Sequence, residues 1–413
     1  MDKNNSLKQD AWAVINAALH AARPDSAVRE ALGDFPEVKG RVVLIAIGKA
    51  AWQMAKAATE ALGTARISAG VVITKYEHSM GDIAGLSIYE AGHPVPDDNS
   101  FAATDEVIKA VSGLTADDYV LFLVSGGGSA LFEKPLVPTE ELEIVTRQLL
   151  ASGADITRIN TIRKRLSAVK GGRFAEICAP ASVFTVVLSD IIGDPLDMIA
   201  SGPAYPDSST SDDAWEIIRK YNIEISAETE SLLSAETPKS LKNVTTKVTG
   251  SVRGLCAAAR DKLIELGYST VVLTDSLNCI AREAGSFLAA IARFNAESSG
   301  SVAFLAGGET VVKVTGTGKG GRNQEIALSA AEGIAGLTNT AVFSFGSDGT
   351  DGPTDAAGGD ADGETWGLLI EKGMNKHLDN NDAYHALESV GGLIKTGPTG
   401  TNVNDLAVVL VKR

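Results

Sequence analysis

The stretch VVLIAIGKAA, residues 42–51, decides the fold of the first half of the chain. Its six leading apolar residues form a continuous run, which is typical of a strand buried on both faces. Gly48 and Lys49 then lead directly into an alanine-rich segment, and we predict a helix over residues 49–62. A buried strand followed at once by a helix is the repeating unit of a parallel α/β sheet.

The same alternation extends along the chain on both sides of this unit. We predict further strands at residues 70–74, 86–91, 119–124 and 182–190, and helices at 8–22, 99–112, 138–152 and 155–167. Strands that alternate with helices predict a doubly wound, parallel sheet.

The alternation is interrupted around residues 236–245 and then resumes, so we place a domain boundary there and predict domains 1–240 and 241–413. Two short apolar runs, 301–307 and 310–316, are joined by Gly307, Gly308 and Glu309 and predict a β-hairpin. A helix at 322–335 and strands at 341–348 and 405–412 are predicted to follow.

Composition excludes several classes of function. Hydrophobic residues make up 44% and charged residues 22% of the 413, as expected of a globular protein and not of a disordered one. The net charge of −15 argues against a nucleic-acid binder and against docking to an anionic membrane. Three cysteines without a C-x-x-C motif, a polar start and no apolar run of spanning length predict a cytoplasmic location.

Two loops that follow predicted buried strands have the residues of an anion site. Lys49 stands at a predicted helix start, where a cation faces the positive end of the helix dipole, an arrangement that a bound anion would explain. After the strand at 119–124, three glycines between two serines could expose their amides as an anion-binding nest, although a tight turn would also need glycine. The residues of this predicted nest are Ser125, Gly126, Gly127, Gly128 and Ser129.

A basic run occupies residues 157–174 and includes Arg163 and Lys170. No acidic residue lies between Asp155 and Glu176 to pair along a helix. The run fits an anion site and a solvated helix face equally well.

Acidic residues follow two of the predicted strands. Asp190 and Asp194 stand at the carboxyl end of the strand at 182–190, where a carboxylate could bind a metal or accept a proton, or where Asp194 could cap a helix. Asp348 and Asp351 are the first acids after the apolar part of the strand at 341–348, residues 341–345. One or two carboxylates there, with substrate phosphates, would suit Mg²⁺, and a flexible acidic loop is the alternative. The five histidines lack the spacing of a zinc site, and we expect a structural role for His93.

Residues 316–325, GTGKGGRNQE, satisfy G-x-G-x-x-G formally. A dinucleotide site is disfavoured because the preceding strand looks like half of a hairpin and the ribose-binding acid expected about 20 residues later is missing. A phosphate clamp explains the cations better. Its predicted members are Gly318, Lys319, Gly320, Gly321 and Arg322. Taken together, the loops predict an α/β enzyme that handles phosphates with Mg²⁺.

The motifs resemble those of the glycerate 2-kinase family, also called class II glycerate kinases, whose C-terminal part is the MOFRL domain. The matching strings run in order along most of the chain: GKAAWQMA (48–55), AGHPVPDDNS (91–100), LVSGGGSALF (123–132), RINTIRKRLSAVKGGRFA (158–175), LSDIIGDPLDMIASGP (188–203), LAGGETVVKVTGTGKGGRNQE (305–325) and FGSDGTDGPTDAAGG (345–359).

The resemblance implies two three-layer α/β domains, an N-terminal Rossmann-like parallel sheet and a C-terminal mixed sheet, with the active site in the cleft between them. It implies transfer of the ATP γ-phosphate to the 2-hydroxyl of D-glycerate with Mg²⁺. The matching positions here are Lys49, Asp190, Arg322 and Asp348, with Asn404 near the last strand.

We expect Lys49 and Arg322 to neutralise the transferring phosphoryl group, Asp190 to orient or deprotonate the hydroxyl, and Asp348 to hold Mg²⁺. The basic run around Arg163 and Lys170 could fix the glycerate carboxylate, and Asp194 and Asn404 are further candidate substrate contacts. Lys170 and the two glycine loops, residues 125–129 and 318–321, are candidate contacts of ATP.

Two other functions stay open at this point. Relatives of this kind have also been called hydroxypyruvate reductases, which would use NAD(P)H, and a non-catalytic sensor of a sugar acid or nucleotide is the third possibility. We expect small molecules as partners, and either a monomer or a homodimer.

Overall fold

The structure is a computed structural model of the chain and describes residues 3–189, 193 and 195–413. The chain forms two compact units. The first unit comprises residues 27–189 and 195–249, and the second comprises residues 3–26 and 250–413. Each unit contains one six-stranded sheet, which confirms the predicted α/β class. Among the described residues, no helix has both the length and the apolar character that crossing a membrane requires.

The sheet of the first unit is parallel throughout. Its strands lie in the order β3-β2-β1-β4-β5-β6, which is the order of a Rossmann fold. Their bounds are β1 (Val42–Ile47), β2 (Ala69–Lys75), β3 (Ser87–Ala91), β4 (Tyr119–Val124), β5 (Ser182–Leu188) and β6 (Val244–Thr249). The predicted Rossmann-like sheet is therefore confirmed.

Helices cover both faces of this sheet because its central strands are apolar on both faces. Val43 and Ile45 of β1 pack into a core with α4 and α8, whereas the alternate residues face the side that α3 covers. The helices up to residue 234 are α1 (Lys3–Ala22), α2 (Pro24–Ala31), α3 (Ala51–Leu62), α4 (Asp98–Ala110), α5 (Gly128–Leu131), α6 (Thr139–Ala151), α7 (Ile156–Arg165), α8 (Arg173–Cys178), α9 (Ser211–Tyr221) and α10 (Ala227–Ser234).

The sheet of the second unit is mixed, as predicted, with the strand order β11-β10-β9-β12-β8-β7. Only β7 and β8 pair in parallel, and the remaining neighbours are antiparallel. The strands are β7 (Ser269–Leu277), β8 (Val302–Gly308), β9 (Thr340–Gly346), β10 (Gly358–Asp362), β11 (Leu393–Ile394) and β12 (Asp405–Val411).

Helices also lie on both faces of the second sheet. Ala407 and Val409 of β12 pack against α12 and α13, and α1 and α11 pack together against the sheet's other side. The helices of this part are α11 (Val252–Glu265), α12 (Ala281–Phe294), α13 (Arg322–Gly333), α14 (Thr365–Glu371) and α15 (Ala383–Val390).

The predicted hairpin of residues 301–307 and 310–316 is wrong. The first run forms β8, but β7 and β12 already occupy both edges of that strand, so no edge remains for a hairpin partner. The backbone of Val311 pairs instead with Cys279 and Ala281, through N–H···O distances of 3.0 and 2.9 Å.

The domain division 1–240 and 241–413 remains a sequence-based proposal, and the two units differ from it in two places. Strand β6 begins at Val244 and pairs with β5, so it extends the first sheet. Helix α1 belongs to the second unit, where Asp10 accepts hydrogen bonds from Tyr268 and Lys412, each at 2.6 Å.

Candidate active site

The first sheet brings Lys49 and the glycine loop to one place. Lys49 follows β1 and residues 125–129 follow β4, and these two parallel strands are neighbours. The strand order reverses between them, and ligands of open α/β sheets bind in the crevice outside such a switch point. We call residues 125–129 the switch-point loop.

The backbone of Lys49 is fixed while its side chain is exposed. Its amide donates to the carbonyl of Gly126 at 2.9 Å. Its carbonyl accepts from Nδ1 of His78 at 3.1 Å and from Oγ1 of Thr74 at 3.4 Å. Helix α3 begins at Ala51, so Lys49 precedes the first turn that the sequence predicted for it. Lys49 thus has a fixed backbone and an exposed side chain at the switch point.

The switch-point loop has one structural serine and free amides. Ser125 is buried, and its hydroxyl donates to the carbonyl of Ile47 and accepts from the amide of Ala50, so it joins β4 to the β1–α3 turn. Within the described part of the chain, the amides of Gly126 and Gly127 have no hydrogen-bond acceptor. Two adjacent free donors are what an anion-binding nest requires.

Gly127 cannot carry a side chain without displacing its neighbours. Its φ is +85°, and a Cβ there would lie 3.0 Å from Cδ2 of His93 and 3.2 Å from Cγ of Lys49. His93 therefore lies against the loop beside Lys49, which the sequence did not predict.

Lys170 lies beneath the switch-point loop. Its side chain is fully buried, and its ammonium donates to the carbonyls of Ser129 and Phe132, both at 2.8 Å, and pairs with Glu133 at 3.3 Å. Burial lowers the pKa of Lys170 to about 8. These contacts give Lys170 a supporting place, and its predicted contact with a cofactor gains no support from them.

The remainder of the basic run is largely an internal ion-pair network. Lys164 pairs with Asp207 at 3.2 Å and with Asp197 at 3.3 Å, and buried Arg165 lies 3.5 Å from Asp207. Arg163 is partly buried, donates to the carbonyl of Ser129 at 3.4 Å and lies 3.6 Å from Glu133. Most of the run thus pairs with acids from other segments, which neither alternative drawn from the sequence includes. Apart from Lys170, Arg163 is the described cation of this run that contacts the switch-point loop.

Ser129 connects the switch-point loop to residues 200–201. Its hydroxyl lies 3.0 Å from that of Ser201, which in turn donates to Asn160 at 3.3 Å. Ala200 and Ser201 both have left-handed backbone, with φ of 51° and 61°, which is costly for residues with a Cβ. Asp190 and Asp194, predicted as catalytic and substrate residues, lie outside the described residues.

The second sheet gathers its polar residues at one edge. Strand β12 is antiparallel to both β8 and β9, so its first residue lies beside their last residues. Asp405 pairs in register with Gly308 on one side and Gly346 on the other. The residues just beyond these ends therefore meet, and we call Glu309, Arg322, Asp348, Asn404 and Asp405 the arginine cluster.

Arg322 is held by two carboxylates. Its Nη2 donates to Oδ1 of Asp405 at 3.0 Å, and its Nε donates to the other oxygen. Its Nη1 lies 3.2 Å from Oε1 of Glu309. The Arg322 side chain is one-third exposed, so it is oriented and still accessible.

Asn404 has an unmatched acceptor. Its amide nitrogen donates to Glu309 at 3.3 Å, whereas its Oδ1 is buried and has no partner among the described residues. The backbone of Asn404 is left-handed, with φ of 68°. Strain and an unsatisfied polar atom are common at functional sites.

Asp348 and Asp351 have different surroundings. Asp348 is half-buried. Its carboxylate and that of Asp405 both border Gly346, because a Cβ added there would lie 3.4 Å from Oδ1 of Asp348 and 3.3 Å from Oδ1 of Asp405. Asp351 is buried, and its carboxylate accepts from the amides of Asn323 and Gln324 at the start of α13. Burial raises the pKa of Asp351 to about 7. Asp351 thus caps a helix, and its predicted metal contact gains no support here.

The glycine-rich segment 316–321 packs against residues 379–384. The amides of Gly318 and Lys319 donate to Asn380 and Asp382, and a Cβ at Gly318 would lie 2.4 Å from that of Asp382. The glycines here permit close backbone packing, and the ammonium of Lys319 lies over the ring of Tyr384 at 4.2 Å. Within the described part, the amides of Gly320 and Gly321 remain without acceptors.

A cavity of about 450 Å³ opens beside this segment. Its wall is apolar where Val311, Val312, Val314 and Pro353 line it, and polar where Gly320, Gly321, Arg322 and Glu325 line it. An apolar pocket with a few convergent polar groups is the usual form of a small-molecule site. Groups of three or more potential metal ligands are absent from the described residues.

Comparison with known proteins matches these features to one family. Residues 10–234 match the family described as Domain of unknown function (DUF4147), and residues 302–405 match the MOFRL family. A Thermotoga maritima protein named D-glycerate 2-kinase is 51% identical over 98% of this chain and 99% of its own length. The chain belongs to the glycerate 2-kinase family. The resemblance inferred from the motifs is confirmed.

A solved structure agrees with this assignment. The crystal structure of glycerate kinase from Thermotoga maritima matches with a TM-score of 0.93 and 51% identity, covering 98% of this chain and all of that one. Within the glycerate 2-kinase family, an Agrobacterium vitis relative carries the provisional name hydroxypyruvate reductase, at 36% identity over 98% of this chain and 95% of its own.

Four residues of these sites were missed by reasoning from the sequence: His93, Glu133, Glu309 and Asp405. Asp405 could have been found, because it directly precedes the apolar run LAVVLV, and the start of a strand lies beside the end of an antiparallel neighbour such as the strand that Asp348 follows. The isolated Glu133 and Glu309 have no such signal.

Proposed function

We propose that this chain transfers the γ-phosphate of ATP to the 2-hydroxyl of D-glycerate and releases 2-phosphoglycerate and ADP. One observation carries the proposal: in a member of the glycerate 2-kinase family, the first unit has an exposed Lys49 after β1, and the second unit has an oriented Arg322 at the start of α13 and the carboxylate of Asp348 after β9. Phosphoryl transfer depends mainly on positioning and on neutralising charge, and cations with a carboxylate serve both needs.

We infer that the cavity of the second unit takes the nucleotide. Its valines would contact the base and ribose, while Arg322 and the amides of Gly320 and Gly321 would bind phosphate oxygens. The switch-point loop of the first unit would then take glycerate, since two amides, Lys49 and Arg163 suit a small carboxylate with hydroxyls.

Each charged group has a separate task in this proposal. Arg322, pre-oriented by Asp405 and Glu309, would stabilise negative charge that develops on the transferred group without reorganising. Lys49 would add a second positive charge from a fixed backbone. Asp190 is proposed to orient or deprotonate the hydroxyl of glycerate, and Asn404 to bind a substrate oxygen through its unmatched Oδ1.

The arginine cluster also has a donor suited to Mg²⁺. Asp348 is accessible, and Mg²⁺ commonly binds through one or two carboxylates together with substrate phosphates. Asp405 is committed to Arg322, and Asp351 to helix α13, so Asp348 is the residue that would hold the ion. A bound Mg²⁺ would neutralise phosphate charge.

The structure disfavours the reductase alternative. A dinucleotide fingerprint requires its first glycine in a tight turn directly after a strand. Here β8 ends at Gly308, and residues 309–321 contain no strand before α13 begins. The glycines of 316–321 pack against another segment of the chain instead of forming that turn.

The test is ADP formation that depends on D-glycerate, measured with the wild type and with Lys49→Ala. We expect the variant to lose about 10²-fold or more in kcat if the lysine contacts the transition state. Unchanged kcat would remove Lys49 from the mechanism. Consumption of NAD(P)H with hydroxypyruvate, and no ADP formation, would replace the kinase with the reductase.

We also propose a cytoplasmic location, with all three cysteines present as free thiols.

A further inference from the structure

His93 lies at the switch-point loop with an unused imidazole. An added Cβ at Gly127 would lie 3.1 Å from its Nε2 and 3.2 Å from Cγ of Lys49, so the ring and the lysine stem flank the same glycine. The side chain is half-buried. Among the described residues, neither nitrogen of the ring has a hydrogen-bond partner. Both nitrogens are therefore available to a molecule bound at the switch-point loop.

The surroundings of His93 determine the charge of that ligand. The titratable groups that face the ring are Lys49, Lys75 and His78. Burial, followed by the positive charges of the two lysines, lowers the pKa of His93. The ring is therefore neutral at neutral pH, and one of its nitrogens carries a proton to donate. A donor among cations, next to two free amides, suits an anionic oxygen.

We propose that His93 is a binding residue of the switch-point loop that donates a hydrogen bond to an anionic oxygen of the ligand, either a carboxylate or a phosphate. The identity of the two candidate ligands rests on the proposed function. The carboxylate would belong to D-glycerate, and the phosphate would belong to the nucleotide. His93 would thus contribute to recognition of one of these ligands, beyond the structural role expected from the sequence.

His78 and His93 differ in what their rings contact. Its Nδ1 already contacts the carbonyl of Lys49 at 3.1 Å, so it holds the backbone of the site. His93 has no such task among the described residues. A change at His93 should therefore alter ligand binding, whereas a change at His78 should displace Lys49.

The kinetic test compares His93→Ala with His93→Gln, which restores a neutral donor, and with His20→Ala as a control at an exposed histidine of α1. We expect His93→Ala to raise KM about tenfold or more for one ligand, since a hydrogen bond to a charged group is lost, and His93→Gln to recover part of that loss. A rise for glycerate assigns the carboxylate, and a rise for ATP assigns the phosphate. KM values that equal the wild type's for both ligands would overturn the proposal.

A binding measurement separates this inference from the kinase proposal. The imidazole nitrogens of ¹⁵N-histidine protein are observed by NMR, with the His93 signal assigned from its absence in His93→Gln. D-Glycerate alone, ADP alone and inorganic phosphate alone are then added. We expect one of them to shift the His93 signal and to raise its pKa, because a bound anion favours the charged ring. A His93 signal that no anion moves would contradict the inference even if the chain phosphorylates glycerate. A shift without any ADP formation would retain it while the kinase proposal fails.

Discussion

Asp405 binds Arg322 through both of its carboxylate oxygens, with Oδ1 3.0 Å from Nη2. This pairing fixes the plane of the guanidinium in the wall of the second unit's cavity. Planar, two-point pairs of this kind add geometric specificity that a single contact lacks. The orientation of Arg322 is therefore set before any ligand arrives.

Removing the charge of Asp405 should therefore impair activity through Arg322. We expect Asp405→Asn to lower kcat/KM by about 10–100-fold, because the arginine loses its orientation while both residues stay in place. The matched control is Asp379→Asn, which weakens the exposed pair of Asp379 with Arg282 and should change little. Equal kinetics for the two variants would show that Asp405 does not position Arg322.

Gly127→Ala should impair activity for a reason separable from the backbone angle of Gly127. Gly391 also has left-handed backbone, with φ of +71° against +85°, but nothing lies within 4 Å of a Cβ at Gly391. Both Gly127→Ala and Gly391→Ala should lose about 1–2 kcal/mol of stability from the left-handed backbone. Only Gly127→Ala should also lose activity, because its methyl group would displace His93 and Lys49. Steady-state kinetics with thermal unfolding test this, and full activity in Gly127→Ala would contradict the described loop.

Lys170 and Glu133 should stabilise the first unit only as a pair. Lys170→Met removes the nearer of the two cations that face the buried Glu133, since Arg163 lies farther away at 3.6 Å, and we expect a loss of about 3 kcal/mol in urea denaturation. The double variant Lys170→Met with Glu133→Gln should recover much of that loss, since the buried carboxylate that lost its nearer cation is then neutral. Lys247→Met, which breaks an exposed pair with Asp34, serves as the control and should cost little. A double variant as unstable as Lys170→Met would refute the pairing argument.

Asp351 should make the stability of the second unit depend on pH. Burial raises the pKa of Asp351 to about 7, whereas the unfolded carboxyl ionises near pH ~4. Between these values the folded state binds more protons, so its stability must fall as the pH rises. We subtract the melting temperature of Asp351→Asn from that of the wild type. We expect this difference to decrease from about pH 4.5 to about pH 7 and then to level off. A difference that is constant or increases would contradict the raised pKa.

The first sheet was largely predictable because its central strands are continuous apolar runs. The runs at 42–47 and 119–124 are apolar at nearly every position and match β1 and β4 residue for residue. Strand β10 was missed because its sequence, GGDAD, has no apolar alternation. It pairs because Gly358 allows close approach: an added Cβ would lie 1.9 Å from the carbonyl of Ser344. Such complementarity between distant segments cannot be read from either segment alone.

The candidate site divides in the same way. Lys49, Arg322 and Asp348 were predictable from their places in the sequence. Lys49 and Asp348 follow buried strands, where ligands of α/β sheets bind. Arg322 begins a helix, where a cation is unfavourable unless an anion binds beside it. The supporting partners Glu133 and Glu309 were not, because the sequence does not show which distant cation each one meets. Lys170 was predicted to contact a ligand for the same reason: its buried acceptors become visible only in the folded unit.

The central claim is transfer of a phosphate to the 2-hydroxyl of D-glycerate. The most direct measurement mixes the protein with D-glycerate, ATP and Mg²⁺ and follows phosphoenolpyruvate after adding enolase alone. Enolase accepts 2-phosphoglycerate but not the 3-isomer, so we predict a signal without any mutase. A signal only when phosphoglycerate mutase is added would contradict the regiochemistry, and no signal in either case would contradict the kinase itself.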